Sequence, residues 1–485
     1  MSAALKGLKP ELVWKYFAEI SRIPRGSKNE AAIGRYVLSV AKKLGFTAKS
    51  DALGNIVVRK PASAGGKHTR SIALQGHLDM VCEKNKDTDH DFLKDPIELV
   101  RKDNLIMANG TTLGADNGIA VAAILAVMED RSIEHGPLEL LFTVDEETGL
   151  TGAANLSADF LESRTLLNLD SEEEGEIFVG CAGGKDTSGT WKITFNELPA
   201  KSTAVQVKVT GLKGGHSGLE IDKGLGNAIK IMNRALRALD TVGARLVAIE
   251  GGNKHNAIPR ECEAVLAIPS PKVKLAQSLI GEVNKTIKAE FGSVEPDLLV
   301  NLSVIVSRKK WKVMRKEDQR KILRTLAALP HGVIKMSADI PGLVETSTNL
   351  AVIKTTKNSV KIATSQRSPA ASELDEIADT VSAVFQLGGA TVDSGDAYPG
   401  WKPDMDSAIL KTAKSAYRSL YGNEPQVKAV HAGLECGVIG ERIPGMDMIS
   451  FGPTIQGAHS PQERLHIDTV EKFWNFLLEI LRTVD

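Results

Sequence analysis

Residues 72–80 read IALQGHLDM. An apolar run reaches Gly76, and His77 and Asp79 follow with one residue between them. Such a run, bounded by turn residues, predicts a buried strand near Ser71–Gln75. The chain has ten histidines, and one stands at the end of this strand with a carboxylate two positions on. A lone histidine there is most often a hydrogen-bonded turn residue, because imidazole ligates metal only occasionally. Working outward, further runs predict a helix over Ile119–Asp130 and strands at Leu138–Val144 and Thr165–Leu169. Strands alternating with helices are the pattern of βα units in a largely parallel sheet buried on both faces.

In such a sheet, ligands bind in the crevice beyond the carboxyl ends of the strands. Four segments fall at that edge. HLD (77–79) follows the first strand, and ADNG (115–118) opens the helix. DEE (145–147) follows Leu138–Val144, and Asp170, in NLDSEEEGE, follows Thr165–Leu169. Each alone has an ordinary explanation: ADNG is a common Asx-turn or helix N-cap, and DEE or SEEEGE a solvated acidic run. Together they place His77, Asp116, Glu146, Glu147 and Asp170 at one edge. GPTIQGAHSPQERLHI (452–467) adds His459 from a Gly-rich loop after an apolar strand near Met446–Phe451. Neutral imidazole plus carboxylates is a zinc or manganese donor set. Two histidines, two or three carboxylates and one carboxylate able to bridge suit two metals about 3.5–4 Å apart, the spacing of two-metal hydrolases. A spare carboxylate of the DEE pair would serve as general base. Asp79 would fix the ring of His77.

From about residue 186 the pattern changes. Ala204–Thr210 alternates apolar and polar, Leu225–Leu239 reads as an amphipathic helix, and LAVIKTTKNSVKIATSQ (350–366) as two strands joined at Lys357–Asn358. A helix follows at Glu373–Phe385. These are antiparallel α+β patterns. After Gly389 the α/β style returns, with helices at Ser407–Leu420 and Thr469–Leu481. The expected architecture is an α/β domain (residues 1–185 and 391–485) with a mostly parallel sheet flanked by helices. An α+β domain, 186–390, is inserted into it.

Sixty basic residues balance sixty acidic ones. That removes the electrostatic argument for a nucleic-acid or anionic-membrane partner and favours a small substrate. The N-terminal MSAALKGLKPELVWKYFAEISRIPRG lacks an apolar h-region and carries Glu11 and Glu19. It reads as an amphipathic helix with Leu12, Val13, Tyr16, Phe17 and Ile20 on one face, not as a secretory signal. The longest apolar run, Ile119–Met128, is too short to span a bilayer. Cys82, Cys181, Cys262 and Cys436 are scattered without a CxxC pair, which fits free buried thiols in a reducing cytoplasm.

The motifs HLDMV, GTTLGADNGIA, TVDEETG, NLDSEEEGEIFVGCAGG, GLKGGHSG, NAIPRE, HAGLECG and GPTIQGAHSPQERLHI together resemble the dinuclear-zinc metallopeptidases related to carboxypeptidase G, carnosinase and aminoacylase. Within that family the pattern is most similar to the bacterial aminoacyl-histidine (Xaa-His) dipeptidases. The likeness covers essentially the whole chain, with no departure at a metal position. It implies a zinc-peptidase-like α/β domain whose insertion is a lid. It also implies two Zn2+ ions (Co2+ or Mn2+ able to substitute), a small peptide substrate and a homodimer. By the resemblance, His77 and Asp170 hold one metal, Glu147 and His459 the other, and Asp116 bridges both. Glu146 would be the general base, Asp79 would orient His77, and the Asp116–Asn117 peptide would be cis. On the lid, His216 (GGHSG) would help stabilise the oxyanion, and Asn256 (NAIPRE) and Arg367 (SQRSP) would hold the substrate C-terminal carboxylate. Gly433 (HAGLECG) would offer a backbone contact on the catalytic domain. Read alone, GGHSG is a turn between strand and helix and Arg367 one of many surface arginines, although a guanidinium fork suits a carboxylate. Whether His216 and Asn256 serve their own or a neighbouring subunit stays open.

The implied activity is metal-dependent hydrolysis of Xaa-His and other dipeptides. An N-acyl-amino-acid deacylase or a carboxypeptidase on the same scaffold is the alternative. The Gly-rich GCAGG and GLKGGHSG raise nucleotide binding, but neither contains GxxxxGK[ST] or sits in a strand–GxGxxG–helix unit. A catalytically dead scaffold is disfavoured because every expected ligand and the base are present.

Overall fold

The computed structural model describes residues 3–64, 70–306 and 311–484. They form two compact units: residues 1–181, 401–429 and 434–485 make the first, and 182–400 with 430–433 the second. The chain leaves and re-enters the first unit at two adjacent points, where Cys181 and Trp401 exchange both backbone hydrogen bonds at 2.9 Å. Gly433, expected on the catalytic domain, belongs to the second unit. The Ala182 N–H donates to the carbonyls of Val430 and Ala432, each at 3.0 Å, and holds that short segment there.

The first unit is built on an eight-stranded sheet. Its order is Thr47–Ser50, Ile56–Lys60, Leu138–Thr143, Ile72–His77, Thr165–Asn168, Asp447–Ser450, Glu176–Cys181 and Gln426–Val430. The four strands from Leu138–Thr143 to Asp447–Ser450 run parallel. Outside them, Ile56–Lys60 and Glu176–Cys181 are antiparallel to their inner neighbours. Every residue of Ile72–His77 and Leu138–Thr143 is buried, as strands covered on both faces must be. The register pairs His77 with Thr143, so both strands end at the same edge.

Helix Ala115–Glu129 crosses beneath that edge. Every residue from Gly118 to Met128 is buried, which is why the sequence shows an apolar run there and no polar face. The helix approaches its strand through Gly76, where a Cβ would lie 2.5 Å from Asn117 Oδ1 and 3.1 Å from Ala120 Cβ. Helices Glu11–Ile20 and Ala31–Leu44 pack against it. On Glu11–Ile20, Val13, Trp14, Tyr16, Phe17 and Ile20 are buried and Leu12 only half-buried. A four-stranded sheet (Ile455–Gln456, Arg464–His466, Leu105–Ala108, Leu99–Lys102) carries the 457–463 loop at its hairpin end.

The second unit has a nine-stranded sheet in which every pairing is antiparallel. The hairpin expected at 350–366 is present as Val344–Thr355 and Ser359–Ser368. Helices Ala228–Asp240, Val273–Phe291, Lys316–Ala328 and Ala371–Leu387 belong to this unit, and its apolar core runs from Trp191 to Phe385. Among the described residues no helix is long and apolar enough to cross a membrane. All four cysteines are free, but Cys82 is exposed, not buried as expected, because it lies in the open loop past the strand end.

Candidate metal centre and active site

Three parallel strands and one helix deliver acidic side chains to the same edge. His77 is the last residue of its strand and is 1% exposed. Its Nε2 lies 3.1 Å from Asp116 Oδ1 and 3.4 Å from Asp170 Oδ1. On the other side of Asp116, His459 Nε2 lies 3.0 Å from Asp116 Oδ2 and 3.0 Å from Glu147 Oε2. Asp116 therefore faces one imidazole with each oxygen. The donor atoms of His77, Asp116 and Asp170 lie within 4.8 Å of one another, and so do those of Asp116, Glu147 and His459. His77, Glu146 and Glu147 form a further such group.

The backbone is shaped around these contacts. Asp116 and Asn117 depart from helical geometry inside helix Ala115–Glu129, and the peptide between them is cis. Asp145 (φ 53°) and His459 (φ 62°) sit in the left-handed region, where a non-glycine residue is held only by its surroundings.

Asp79 is fully buried and ties the edge together. Its Oδ1 accepts from the Glu146 N–H at 3.0 Å, and its Oδ2 from the Glu147 N–H at 3.2 Å and the Ser27 hydroxyl at 2.8 Å. His77 Nδ1 stands 3.4 Å from Asp79 Oδ1. Burial alone would raise the Asp79 carboxyl, but His77 and these donors outweigh it and leave it at about 2. Burial also disfavours charge on His77, yet Asp170, Asp116 and Asp79 hold its imidazole well above the ordinary value. Hydrogen bonds to Asp116 and Glu147 raise His459 to about 11. Glu146 is pushed well above the usual carboxylate range by burial, and by the charges of Asp170, Glu435 and Glu147, against the pull of His77.

The residues fit a metal pair. The buried Asp170 Oδ1 meets His77 Nε2 at 3.4 Å without a hydrogen bond, and the buried Glu147 Oε1 has no hydrogen-bond partner among the described residues. Unpaired buried carboxylate oxygens are costly unless a cation meets them. Hard oxygens and imidazole nitrogens around a shared carboxylate are the donor chemistry of zinc or manganese.

Two participants escaped the sequence reading. Glu435, fully buried, accepts at Oε2 from Gln75 Nε2 at 2.6 Å and the Thr143 hydroxyl at 2.7 Å, and so links two strand ends under the site. A glutamate inside the small apolar run GLECGVIG was the available signal. Arg25, 3% exposed, donates to the carbonyls of Leu78 at 3.0 Å, Asp79 at 2.7 Å and Gly114. Nothing in its local sequence marks it.

In the second unit, Gly215–His216 pairs with Ala257–Ile258, and the Ser217 N–H donates to the Asn256 carbonyl at 2.9 Å. This places Asn256, in the turn just before its strand, beside the end of the strand that carries His216. His216 Nδ1 accepts from the Gly218 and Leu219 N–H groups at 3.2 and 3.0 Å. A backbone N–H can only donate, so the ring proton sits on Nε2. Burial first, then Arg367, lowers His216 to about 4. It is a neutral donor, a more specific arrangement than a plain turn. Arg367 is 6% exposed, not the surface residue its local sequence suggests. It pairs across the sheet with Ser347 and donates to Tyr398 Oη at 2.8 Å, while its Nε has no partner among the described residues. His431, two residues before Gly433, bonds Ser347 Oγ at 2.7 Å, and burial first, then Arg367 and His216, lowers it to about 3.

Known proteins resemble this chain in sequence and fold. The chain is 41% identical to the cytosol non-specific dipeptidase of Escherichia coli (strain K12) over 481 residues, 99% of each protein. Its structure superposes on the crystal structure of aminoacylhistidine dipeptidase from Vibrio alginolyticus with a TM-score of 0.91 at 41% identity, over 99% of this chain and 98% of that one. The aminopeptidase PepT of Bacillus cereus shares the fold at 17% identity and a TM-score of 0.57. The model of peptidase family M20/M25/M40 matches residues 73–483, from the strand that carries His77 to the last helix, and the chain belongs to that family.

Proposed function

We propose that the protein is a cytoplasmic, homodimeric, metal-dependent dipeptidase that cleaves Xaa-His and other dipeptides. The observation that carries the reading is the pair of donor triads sharing Asp116, with a buried oxygen left unpaired on Glu147. His77 and Asp170 would hold one ion, Glu147 and His459 the other, with Asp116 common to both. Bound there, two divalent ions supply Lewis acidity for the scissile carbonyl and hydroxide at neutral pH.

The chain's own residues do the rest. Glu146 takes the proton of the attacking water on a carboxylate oxygen and delivers it to the leaving amine. Its raised proton affinity suits both halves of that transfer. Asp79 fixes the backbone of Glu146 and Glu147 and aims the ring of His77. His216, neutral with its proton on Nε2, can donate to a developing oxyanion without bringing a competing charge. Arg367 and Asn256, with the backbone at Gly433, would take the substrate C-terminal carboxylate; the unpartnered Arg367 Nε supports a donor kept free for it. The homodimer rests on the resemblance, and the cytoplasmic setting on the four scattered, free cysteines.

The two relatives carry different names, a non-specific dipeptidase and an aminoacylhistidine dipeptidase. We therefore expect activity on several dipeptides with β-Ala-His among them. The test uses metal-stripped full-length protein, with zinc, manganese or cobalt restored, on a panel of dipeptides and N-acyl amino acids. Metal-restored cleavage of the dipeptides is expected. Turnover by the stripped protein would refute the metal-dependent reading, and preference for N-acyl amino acids would make it a deacylase.

A further inference from the structure

We propose that Glu463 is a positioning residue that sets Asp116 and His459 in register for the second ion of the pair, an inference that rests on the metal-centre reading above. Glu463 is 2% exposed. Its Oε2 accepts from the N–H groups of Leu113 at 2.7 Å and Gly114 at 3.0 Å. Its Oε1 accepts from those of Ala115 at 2.7 Å and Asp116 at 3.2 Å. Four successive backbone donors thus converge on one carboxylate, the concave arrangement that selects an anion. Gly114 makes it possible: at φ 66° and ψ 33° it turns the donors to one side. A Cβ there would also lie 2.6 Å from Arg25 Nη2. Arg25 in turn donates to the Gly114 carbonyl and to those of Leu78 and Asp79, so the cradle is fastened to the segment that carries His77.

The other end of the device is the loop that Glu463 belongs to. Glu463 lies four residues after His459 in the hairpin between Ile455–Gln456 and Arg464–His466. Its own N–H donates to the Ser460 carbonyl at 3.0 Å, closing the turn. One side chain therefore fixes the backbone of Asp116 and, through its own turn, the place of His459, whose Nε2 is 3.0 Å from Asp116 Oδ2. Its side-chain hydrogen bonds go to residues 113–116 and not to the other ligands, His77, Asp170 and Glu147. A plain cap for helix Ala115–Glu129 would stabilise the helix without preferring one ion. The cradle instead takes the donors of residues 113–116 and ends at the ligand itself.

Glu463→Gln keeps the shape but turns one acceptor oxygen into a donor amide, so two of the four N–H groups lose their acceptor. Metal-stripped full-length wild type and E463Q are titrated with Zn2+ against a chromophoric chelator, and with Co2+ followed by its visible absorption. Wild type should take two ions. E463Q should bind the ion held by Glu147 and His459 about 10–100-fold more weakly, the usual loss when a partner behind the ligands is removed, and the other ion, which draws on Asp116 but not on His459, by a clearly smaller factor. Its cobalt spectrum should lose one site's bands. In the metal-free proteins, hydrogen exchange at 113–116 should be slow in wild type and faster in E463Q, with Leu138–Thr143 unchanged. Equal affinity for both ions in E463Q, equal loss of both, global unfolding of E463Q, or fast exchange at 113–116 in wild type would each overturn the assignment. Failure of wild type to bind any ion would instead overturn the metal-centre reading.

Discussion

Asp79→Asn tests the centre most sharply, because the change is one atom and its consequences can be counted. Asp79 is fully buried and ionised throughout the neutral range, so the substitution removes a real charge. It accepts from Glu146 N–H and faces His77 with Oδ1, and accepts from Glu147 N–H and Ser27 with Oδ2. Asparagine has one acceptor oxygen. If its amide nitrogen replaces Oδ2, it meets the Glu147 N–H donor to donor. If it replaces Oδ1, it meets the Glu146 N–H in the same way. It could then donate only to an unprotonated His77 Nδ1, forcing the neutral ring to carry its proton on Nε2, the nitrogen that faces Asp116 and Asp170. Either orientation leaves a buried N–H of the 146–147 turn unpaired, which costs about 1–3 kcal/mol. Loss of the partner that aims a ligating histidine costs about 10–100-fold in metal affinity, or about 1.4–2.8 kcal/mol.

The two costs are separable. Urea unfolding of the metal-free chain reads the first, and zinc competition against a chromophoric chelator reads the second. We expect D79N to lose stability by that amount without metal and to lose further ground with it, with turnover reduced at saturating zinc. Wild-type zinc affinity and turnover in a correctly folded D79N would refute the reasoning, since no orientation of the amide reproduces the carboxylate's contacts.

Three other outcomes follow from the same geometry. Glu146→Gln should lower kcat by about 10²–10⁴, the usual contribution of a general base, with metal content unchanged; near-wild-type turnover would remove Glu146 from that role. His77 and His459 both hold their protons more tightly than free imidazole. Zinc must displace those protons, so binding should release protons and weaken as pH falls from 8 to 6, and calorimetry in buffers of different ionisation enthalpy that found no release would contradict this. His216 titrates at about 4 in the folded chain against 6.5 for a free ring. The unfolded chain binds that proton first, so the ring's contribution to stability is full above about 6.5 and is lost as pH falls towards 4. Nitrogen NMR should find the Nε2–H form of His216 from pH 8 to 5, and an imidazolium signal at pH 6 would refute it.

The parallel strands were legible because burial on both faces keeps them mostly apolar, as in IALQG and LELLF, where Gln75 and Glu139 are the single polar residues. Helix Ala115–Glu129 was legible only from Ile119 onward, since its first turn is bent away from helical geometry around Asp116 and Asn117. The antiparallel flanks of the sheet were not legible: a strand's own sequence carries little record of its neighbour's direction. Nor were Leu99–Lys102 and its partner Leu105–Ala108, which at four residues each are too short to show a period. Arg25, Glu435 and Glu463 escaped for a common reason. Each acts on groups dozens to hundreds of positions away, and a buried charge looks like a surface charge until its partners are in place.

The DEE run shows why composition misleads at such a site. In sequence it is three like charges in a row, the mark of a solvated loop. In the fold the left-handed Asp145 splits the run. Its carboxylate turns to the hydroxyls of Thr148 and Thr151 and its N–H to Glu30. That leaves the next two N–H groups free to point at Asp79, and their side chains stand beside His77. Each carboxylate then has a different environment: hydroxyl donors for Asp145, burial among negative charges for Glu146, and His459 for Glu147. Like charges so close could not all stay ionised without cations. Separate partners would let one neighbour serve structure, one a proton and one a metal.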